Sequence, residues 1–173
     1  MGLVRSKLGM LVNRAKYGLF PHPGARAAIR QALCEFIRAH PRYSRASAVA
    51  AIPPRRAGNK SSLSQRLAPD IADDLGVREV EIIRVETRPA QKEIQDDNRA
   101  RGVERRFQNQ RGFMRVDDDV NGISVVALDD LYGSGGTMAE AARALKETGA
   151  VEVLGLTMTK QRLFEGVRLA TQD

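Results

Sequence analysis

The chain has 173 residues, of which 42% are hydrophobic and 28% charged, the balance of a protein with one sizeable core. No apolar run approaches the roughly 20 residues that a membrane-spanning helix needs, so we expect no membrane segment. The net charge of +7 predicts a surface attractive to nucleic acid, acidic lipid or phosphorylated metabolites. The single cysteine, Cys34, excludes an intramolecular disulfide and a multi-cysteine zinc site, and it favours a reducing, cytoplasmic location.

Helices and strands alternate along the predicted chain. Apolar residues at three- and four-residue spacings indicate helices, and short apolar runs bounded by Pro or Gly indicate strands. The predicted elements are a helix at 23–39, a strand at 46–54, a helix at 62–77, a strand at 80–86, a strand at 123–130, a helix at 137–148 and a strand at 151–160. This order predicts an α/β fold with a mainly parallel, twisted sheet and helices on both faces.

Residues 87–119 interrupt this alternation because they are polar and arginine-rich, without sustained apolar periodicity. A compact domain seldom keeps so long an excursion without a function. We therefore predict one domain over residues 1–173, with 87–119 as a flexible basic lid or hood. The acidic run at 117–119 is expected to form a turn into the next strand.

The stretch "VVALDDLYGSGGTM", residues 125–138, joins a predicted strand to a predicted helix. Its loop has little or no side chain at four positions: Gly133, Ser134, Gly135 and Gly136. Backbone N–H groups in such a loop, together with the helix N-terminus, are suited to bind a phosphate. Thr137 and Glu140 have capping-box spacing, which predicts that the helix begins at the end of the loop.

Asp129 and Asp130 precede this anion loop, where carboxylates would repel a bare phosphate. They are suited instead to accept hydrogen bonds from hydroxyls of the same ligand, or to support a cation. A sugar phosphate satisfies both requirements. A P-loop is excluded because its lysine is missing, and a dinucleotide loop because Met138 stands where a third glycine is needed. The other alternative is a generic junction with a surface acid pair.

An apolar strand, two acids, two variable residues and a small-residue loop ending in Thr137 together resemble the phosphoribosyl pyrophosphate (PRPP) signature of type I phosphoribosyltransferases. The resemblance implies a Rossmann-like fold in which Asp129 and Asp130 form the catalytic acid pair and bind the ribose 2'- and 3'-hydroxyls. It implies that the 5'-phosphate is bound by the five loop residues Gly133, Ser134, Gly135, Gly136 and Thr137.

More of the chain is similar to the ComF-like branch of that family, associated with bacterial competence. The similar segments are "AKYG" at 15–18, "AIPPRRAGNK" at 51–60 and "RPAQKEIQDDNRARGVERRF" at 88–107. The similarity spans about residues 15–160. Two departures are the absence of the branch's frequent four-cysteine zinc module and the presence of Gly102 where Asn is usual.

The resemblance implies an enzyme in which a nitrogenous, nucleobase-like acceptor displaces pyrophosphate from C1 of PRPP. The cations assigned to the pyrophosphate are Arg55, Arg56, Lys60 and Arg88, and those assigned to the lid are Lys92, Arg99 and Arg101. Magnesium is expected to be held mainly through PRPP, without a dedicated set of protein ligands. Members of the family tend to form homodimers.

Two other functions are compatible with the sequence. A nonenzymatic regulator could keep the fold to sense PRPP or nucleotides, although the intact acid pair and loop argue against a lost activity. A DNA-uptake accessory protein could bind single-stranded DNA through the basic segment, although only Phe107 and Phe113 offer aromatic stacking there. No motif in the sequence identifies the acceptor.

Overall fold

A computed structural model describes residues 9–12, 15, 23–54, 61–85, 112–133 and 135–160. Residues 9–12 and 15 are helical, and Tyr43–Arg45 form a short 3-10 helix. The other elements are α1 (Pro23–Ala39), β1 (Ala48–Ala51), α2 (Leu63–Leu75), β2 (Arg78–Arg84), β3 (Met114–Val116), β4 (Ser124–Tyr132), α3 (Gly136–Glu147) and β5 (Glu152–Lys160). Among these helices, none is both long and apolar enough to cross a membrane.

The strands form one five-stranded sheet in the order β3-β2-β1-β4-β5. All neighbouring pairs are parallel except β2 and β3, which are antiparallel. The parallel pair β1 and β2 is connected through α2, and the parallel pair β4 and β5 through α3, the helical crossovers that parallel neighbours require. The predicted α/β class and mainly parallel sheet are confirmed.

Two apolar layers form the core, one on each face of the sheet. Alternate residues of a strand point to opposite faces, so Val49 packs with α1 and α2 whereas Ala50 packs with α3. Val126 and Ala127 of β4 divide between the two layers in the same way. Helices therefore cover both faces, as the sequence predicts.

The bounds of α2 follow from its caps. Ser62 Oγ accepts the Gln65 N–H at 3.2 Å while Gln65 Oε1 accepts the Ser62 N–H at 3.0 Å, a complete capping box. Gly76 ends the helix in the left-handed conformation, with φ of 66°. Pro69 is accommodated at an exposed position within the helix. These caps set the two ends of α2 at Leu63 and Leu75.

The predicted basic excursion at 87–119 overlaps the sheet, because β3 pairs with β2 through Ile82 opposite Val116 and Arg84 opposite Met114. Met114 and Val116 are buried and Arg115 is exposed, but three residues are too few to establish a period. The acidic run forms the predicted turn, since Asp118 Oδ2 accepts the Glu81 N–H at 2.8 Å and Asp119 Oδ1 accepts the Asn121 N–H at 3.0 Å. Residues 87–111 lie outside the described part.

Candidate functional site

The acid pair lies at the carboxyl end of β4, in the interior of the sheet. β4 is flanked by β1 and β5, and the Ile52 N–H donates to the Leu128 carbonyl at 2.9 Å, which brings the end of β1 beside Asp129. Open parallel sheets bind their ligands at this edge. The sheet thus places both carboxylates where a ligand is expected.

Asp129 turns its carboxylate back onto its own chain. Its Oδ1 accepts the N–H of Asp130 at 2.7 Å and, more weakly, that of Leu131 at 3.5 Å. Burial, and secondly the charge of Asp130, raise the pKa of Asp129 to about 6, despite the lowering effect of the two backbone hydrogen bonds. A hydroxyl donor or a cation at this carboxylate would favour its ionised form.

Asp130 is the more buried acid, with 8% of its surface exposed. Its backbone carbonyl accepts a hydrogen bond from Thr159 Oγ1 at 2.7 Å, which ties the end of β4 to β5. Strand pairing with β5 continues beyond the acids to Tyr132 opposite Lys160. The backbone of the acid pair is therefore held by β5.

The small-residue loop turns the chain from β4 into α3. Gly135 is the N-cap of α3 and has φ of +82°, which side chains rarely adopt. A Cβ on Gly135 would also lie 2.7 Å from Tyr132 Oη, closer than a van der Waals contact allows. Any larger residue at this position would therefore require the Tyr132 side chain to move. The helix begins at Gly136, and its N-terminus offers backbone donors and the positive end of the helix dipole to an anion. Ser134 lies outside the described residues.

The capping box predicted for Thr137 and Glu140 is wrong. The N-cap is Gly135, and Glu140 is buried against β3, where its Oε1 accepts the Met114 N–H at 3.0 Å. Arg143 binds the same carboxylate through Nε and a terminal nitrogen, both at 2.8 Å, and donates to the Met114 carbonyl at 2.8 Å. Glu140 therefore binds Arg143, one turn along the helix, and the Met114 N–H of β3, instead of the backbone at the helix N-terminus.

The predicted cations of the site cannot be placed, because they lie outside the described residues: Arg55, Arg56, Lys60, Arg88, Lys92, Arg99 and Arg101. Two cations that the sequence analysis missed lie at strand ends on the carboxyl edge. Arg84 is the last residue of β2, and Lys160 ends β5 opposite Tyr132. The available signal was a basic residue at or near the end of two predicted strands, Arg84 within 80–86 and Lys160 at the end of 151–160.

The first turn of α2 reaches the same edge of the sheet. Ser64 Oγ donates to the Ile52 carbonyl at 3.5 Å, so the N-terminus of α2 lies over the end of β1. Residues 55–60, which connect these two ends, lie outside the described part. The ends of β1 and β4 and the N-termini of α2 and α3 are therefore gathered at one edge.

Within the described ranges, no group of three His, Cys, Asp or Glu side chains could hold a metal ion. Asp129 and Asp130 are two adjacent carboxylates, which fits magnesium because that ion keeps several waters and uses one or two carboxylates together with substrate phosphates. The residues present are thus compatible with a magnesium ion brought by a phosphorylated ligand.

Comparison with curated proteins gives one short similarity. The chain is 53% identical over 38 residues to a ribose-phosphate pyrophosphokinase from Pyrococcus abyssi, a match that covers 22% of this chain and 13% of that protein. No family model matches the chain.

Solved structures resemble the chain over most of its length. Phosphoribosylpyrophosphate synthetase from Mycobacterium smegmatis has a TM-score of 0.50 at 24% identity, covering 76% of this chain and 33% of the synthetase. Adenine phosphoribosyltransferase from Saccharomyces cerevisiae, complexed with an imino-altritol bisphosphate and adenine, has a TM-score of 0.58 at 14% identity, covering 84% and 73%. The Leishmania donovani adenine enzyme has a TM-score of 0.57 at 17% identity, covering 90% and 68%.

The chain therefore has the mixed α/β fold of type I phosphoribosyltransferases. It spans about a third of the Mycobacterium smegmatis synthetase and a much smaller share of the curated relative.

Proposed function

We propose that this chain, with its type I phosphoribosyltransferase fold, binds PRPP and transfers the 5-phosphoribosyl group to a nitrogenous acceptor. The proposal rests on one observation: an acid pair, half-buried at Asp129 and buried at Asp130, meets a glycine-capped helix N-terminus at a single strand–helix junction. Such a junction offers acceptors for sugar hydroxyls beside donors for a phosphate. The similarity to the ComF-like branch and a cytoplasmic location are parts of the same proposal.

In this function the acids and the loop hold opposite ends of the ribose 5-phosphate. Asp129 and Asp130 accept hydrogen bonds from the 2'- and 3'-hydroxyls, and residues 133–137 receive the 5'-phosphate. C1 of the ribose is then fixed relative to both contacts, so the acceptor nitrogen and C1 can be aligned in one geometry. Positioning of this kind is the chief contribution assigned to the described residues.

In the reaction, the bond between C1 and the pyrophosphate oxygen breaks as the bond between C1 and the acceptor nitrogen forms. Pyrophosphate leaves with the electron pair of the broken bond, so cations are needed around it. Bound magnesium would supply part of that charge at the pyrophosphate. Arg55, Arg56, Lys60 and Arg88 are proposed for the rest from the sequence, and the basic segment with Lys92, Arg99 and Arg101 is proposed as the lid.

The match to the ribose-phosphate pyrophosphokinase supports a second candidate function, the synthesis of PRPP. In this second reaction the C1 hydroxyl of ribose 5-phosphate would attack the β-phosphorus of a nucleoside triphosphate and lose its proton, forming PRPP as the nucleoside monophosphate leaves. The acids and the loop would hold the ribose 5-phosphate in the same way. The two candidates therefore share one sugar-phosphate site and differ in what occupies the space around C1.

One assay separates the candidates. The protein is incubated with magnesium and PRPP plus a panel of nucleobases, and released pyrophosphate is measured. Parallel reactions contain ribose 5-phosphate and nucleoside triphosphates, with PRPP as the measured product. We expect pyrophosphate release that depends on one class of base. PRPP synthesis would favour the second candidate, and PRPP binding without either reaction would favour the nonenzymatic regulator.

A nucleic-acid role has its own readout. Binding of single-stranded DNA through the basic segment would weaken steeply as salt is added, since phosphate contacts release counterions. Salt-sensitive binding that PRPP does not affect would place DNA at a surface separate from the sugar-phosphate site. Gel filtration of the same sample tests the expected homodimer.

A further inference from the structure

Tyr132 is the last residue of β4 and directly precedes the small-residue loop. Its side chain reaches over that loop, because a Cβ built on Gly135 would lie 2.7 Å from Tyr132 Oη and 3.2 Å from Cζ. Gly135 is the N-cap from which α3 starts. The phenol hydroxyl therefore lies beside the turn that presents the helix N-terminus.

The hydroxyl of Tyr132 makes no hydrogen bond to another protein group within the part of the chain that the structure describes. The residue as a whole is 37% exposed. Tyr43 provides a contrast, since its hydroxyl donates to the Gly155 carbonyl at 2.8 Å. The Tyr43 hydroxyl thus secures β5, whereas the Tyr132 hydroxyl lies beside the loop of the candidate site.

We propose that Tyr132 Oη donates a hydrogen bond to the 5'-phosphate of the sugar-phosphate ligand, an inference that rests on the proposed function. A phosphate monoester presents three oxygens that each accept more than one hydrogen bond, so a side-chain donor adds to those of the loop and the helix N-terminus. The phenol, anchored at the end of β4, reaches the loop from the strand side. Hydrogen bonds to an ionised acceptor are roughly twice as strong as neutral ones.

Tyr132 would consequently set specificity as well as affinity. The hydroxyl donates to the phosphate of a phosphorylated sugar. Unlike a Lys or Arg side chain, it has no charge that would attract other anions from a distance. A sugar that carries a 5'-hydroxyl in place of the phosphate offers Tyr132 only a neutral acceptor, which makes a weaker hydrogen bond. The acid pair alone would bind ribose and ribose 5-phosphate through the same hydroxyls. Tyr132 would therefore increase the preference for ribose 5-phosphate over ribose.

A purely structural role for Tyr132 is the competing explanation, because its ring packs on Gly135 and could hold the loop in place. Tyr132→Phe separates the two roles, since it keeps the ring and removes only the donor. Tyr43→Phe is the matched control, the same substitution at a hydroxyl bonded to Gly155. Thermal unfolding of both unliganded variants reports on packing independently of the ligand.

The test is calorimetric titration of ribose 5-phosphate into the full chain and both variants. We expect wild type to bind, Tyr132→Phe to bind about tenfold more weakly, and Tyr43→Phe to match wild type. Equal affinities of Tyr132→Phe and wild type would overturn the inference and leave the proposed function standing. Failure of wild type to bind ribose 5-phosphate would overturn both.

Discussion

Asp129 and Asp130 are adjacent in sequence but differ in their surroundings. The Asp129 carboxylate accepts hydrogen bonds from the two backbone N–H groups that follow it, whereas Asp130 is nearly buried on a backbone secured by Thr159. Burial, and secondly the charge of Asp130, disfavour the ionisation of Asp129. A hydroxyl donor or a cation at the Asp129 carboxylate would offset this unfavourable contribution.

The raised pKa of Asp129 predicts how stability depends on pH. An unfolded aspartate titrates near about 3.9, so the folded protein binds the proton more tightly between about pH 4 and pH 6. Its stabilising contribution is therefore full below about pH 4 and is lost as the pH rises to about 6. Asp129→Asn removes the charge but keeps the Oδ1 acceptor for the backbone.

We expect Asp129→Asn to be more stable than wild type at pH 7.5 and nearly equal to it at pH 4. Urea unfolding at the two pH values measures both differences. A gain that is the same at both values would contradict the raised pKa, because uncharged packing effects do not follow pH. PRPP turnover by the same variant should fall, since a ribose hydroxyl loses an ionised acceptor.

The position of the acid pair at a strand end, and of the loop before a helix, was predictable at the residue scale because the residue types and their spacing are visible in the sequence. The binding roles of these residues stay predictions. The difference between the two acids was not, since it depends on burial and on which carboxylate turns back to the backbone. The role of Glu140 was mispredicted for a related reason. Local spacing favoured a cap, but Arg143 and the Met114 backbone gave the carboxylate stronger tertiary partners.

At the scale of elements, α3 connects the phosphate loop to the edge strand β3. Its first turn lies at the loop, and one turn later Glu140 and Arg143 bind both the N–H and the carbonyl of Met114. Glu140 has 3% of its side chain exposed and Arg143 has 21%. This partly buried ion pair fixes the position of β3 against the helix that carries the candidate anion site.

Replacing Arg143 tests how much that contact stabilises the fold. Arg143→Met leaves the buried Glu140 carboxylate with only the Met114 N–H, so we expect a loss of about 3 kcal/mol in the free energy of unfolding. Arg42→Met is the matched control, since Arg42 forms a largely exposed ion pair with Glu152 and should change stability little. If the two substitutions lower the free energy of unfolding in urea equally, the Arg143–Glu140 contact stabilises the fold no more than an exposed ion pair does.

Helices and parallel strands were predictable because their periods extend over many residues; α1 has the predicted bounds, Pro23–Ala39. β3 escaped prediction because it has three residues within a polar stretch and is stabilised by β2 and α3 rather than by its own pattern. A short edge strand of this kind forms because of its contacts with neighbouring strands and helices, so the periodicity of its own sequence gives little information about it.

For the whole molecule, the parallel sheet is what assembles a site from distant parts of the sequence. β1, β4 and β5 end at the same edge, where α2 and α3 begin, so residues near positions 52, 64, 130 and 160 become neighbours. Apolar layers lie on both faces of this sheet. Adenine phosphoribosyltransferases and a phosphoribosylpyrophosphate synthetase that share little sequence with the chain have a similar fold.

The central claim is that the acid pair and the loop bind the ribose 5-phosphate part of PRPP. Calorimetric titration of PRPP with magnesium at pH 7.5, into wild type and Asp130→Asn, tests it most directly. Wild type should bind, and Asp130→Asn should bind at least about tenfold more weakly while unfolding at a similar temperature, since an ionised hydrogen-bond acceptor is lost. No binding by wild type, or equal binding by the two proteins, would contradict the claim.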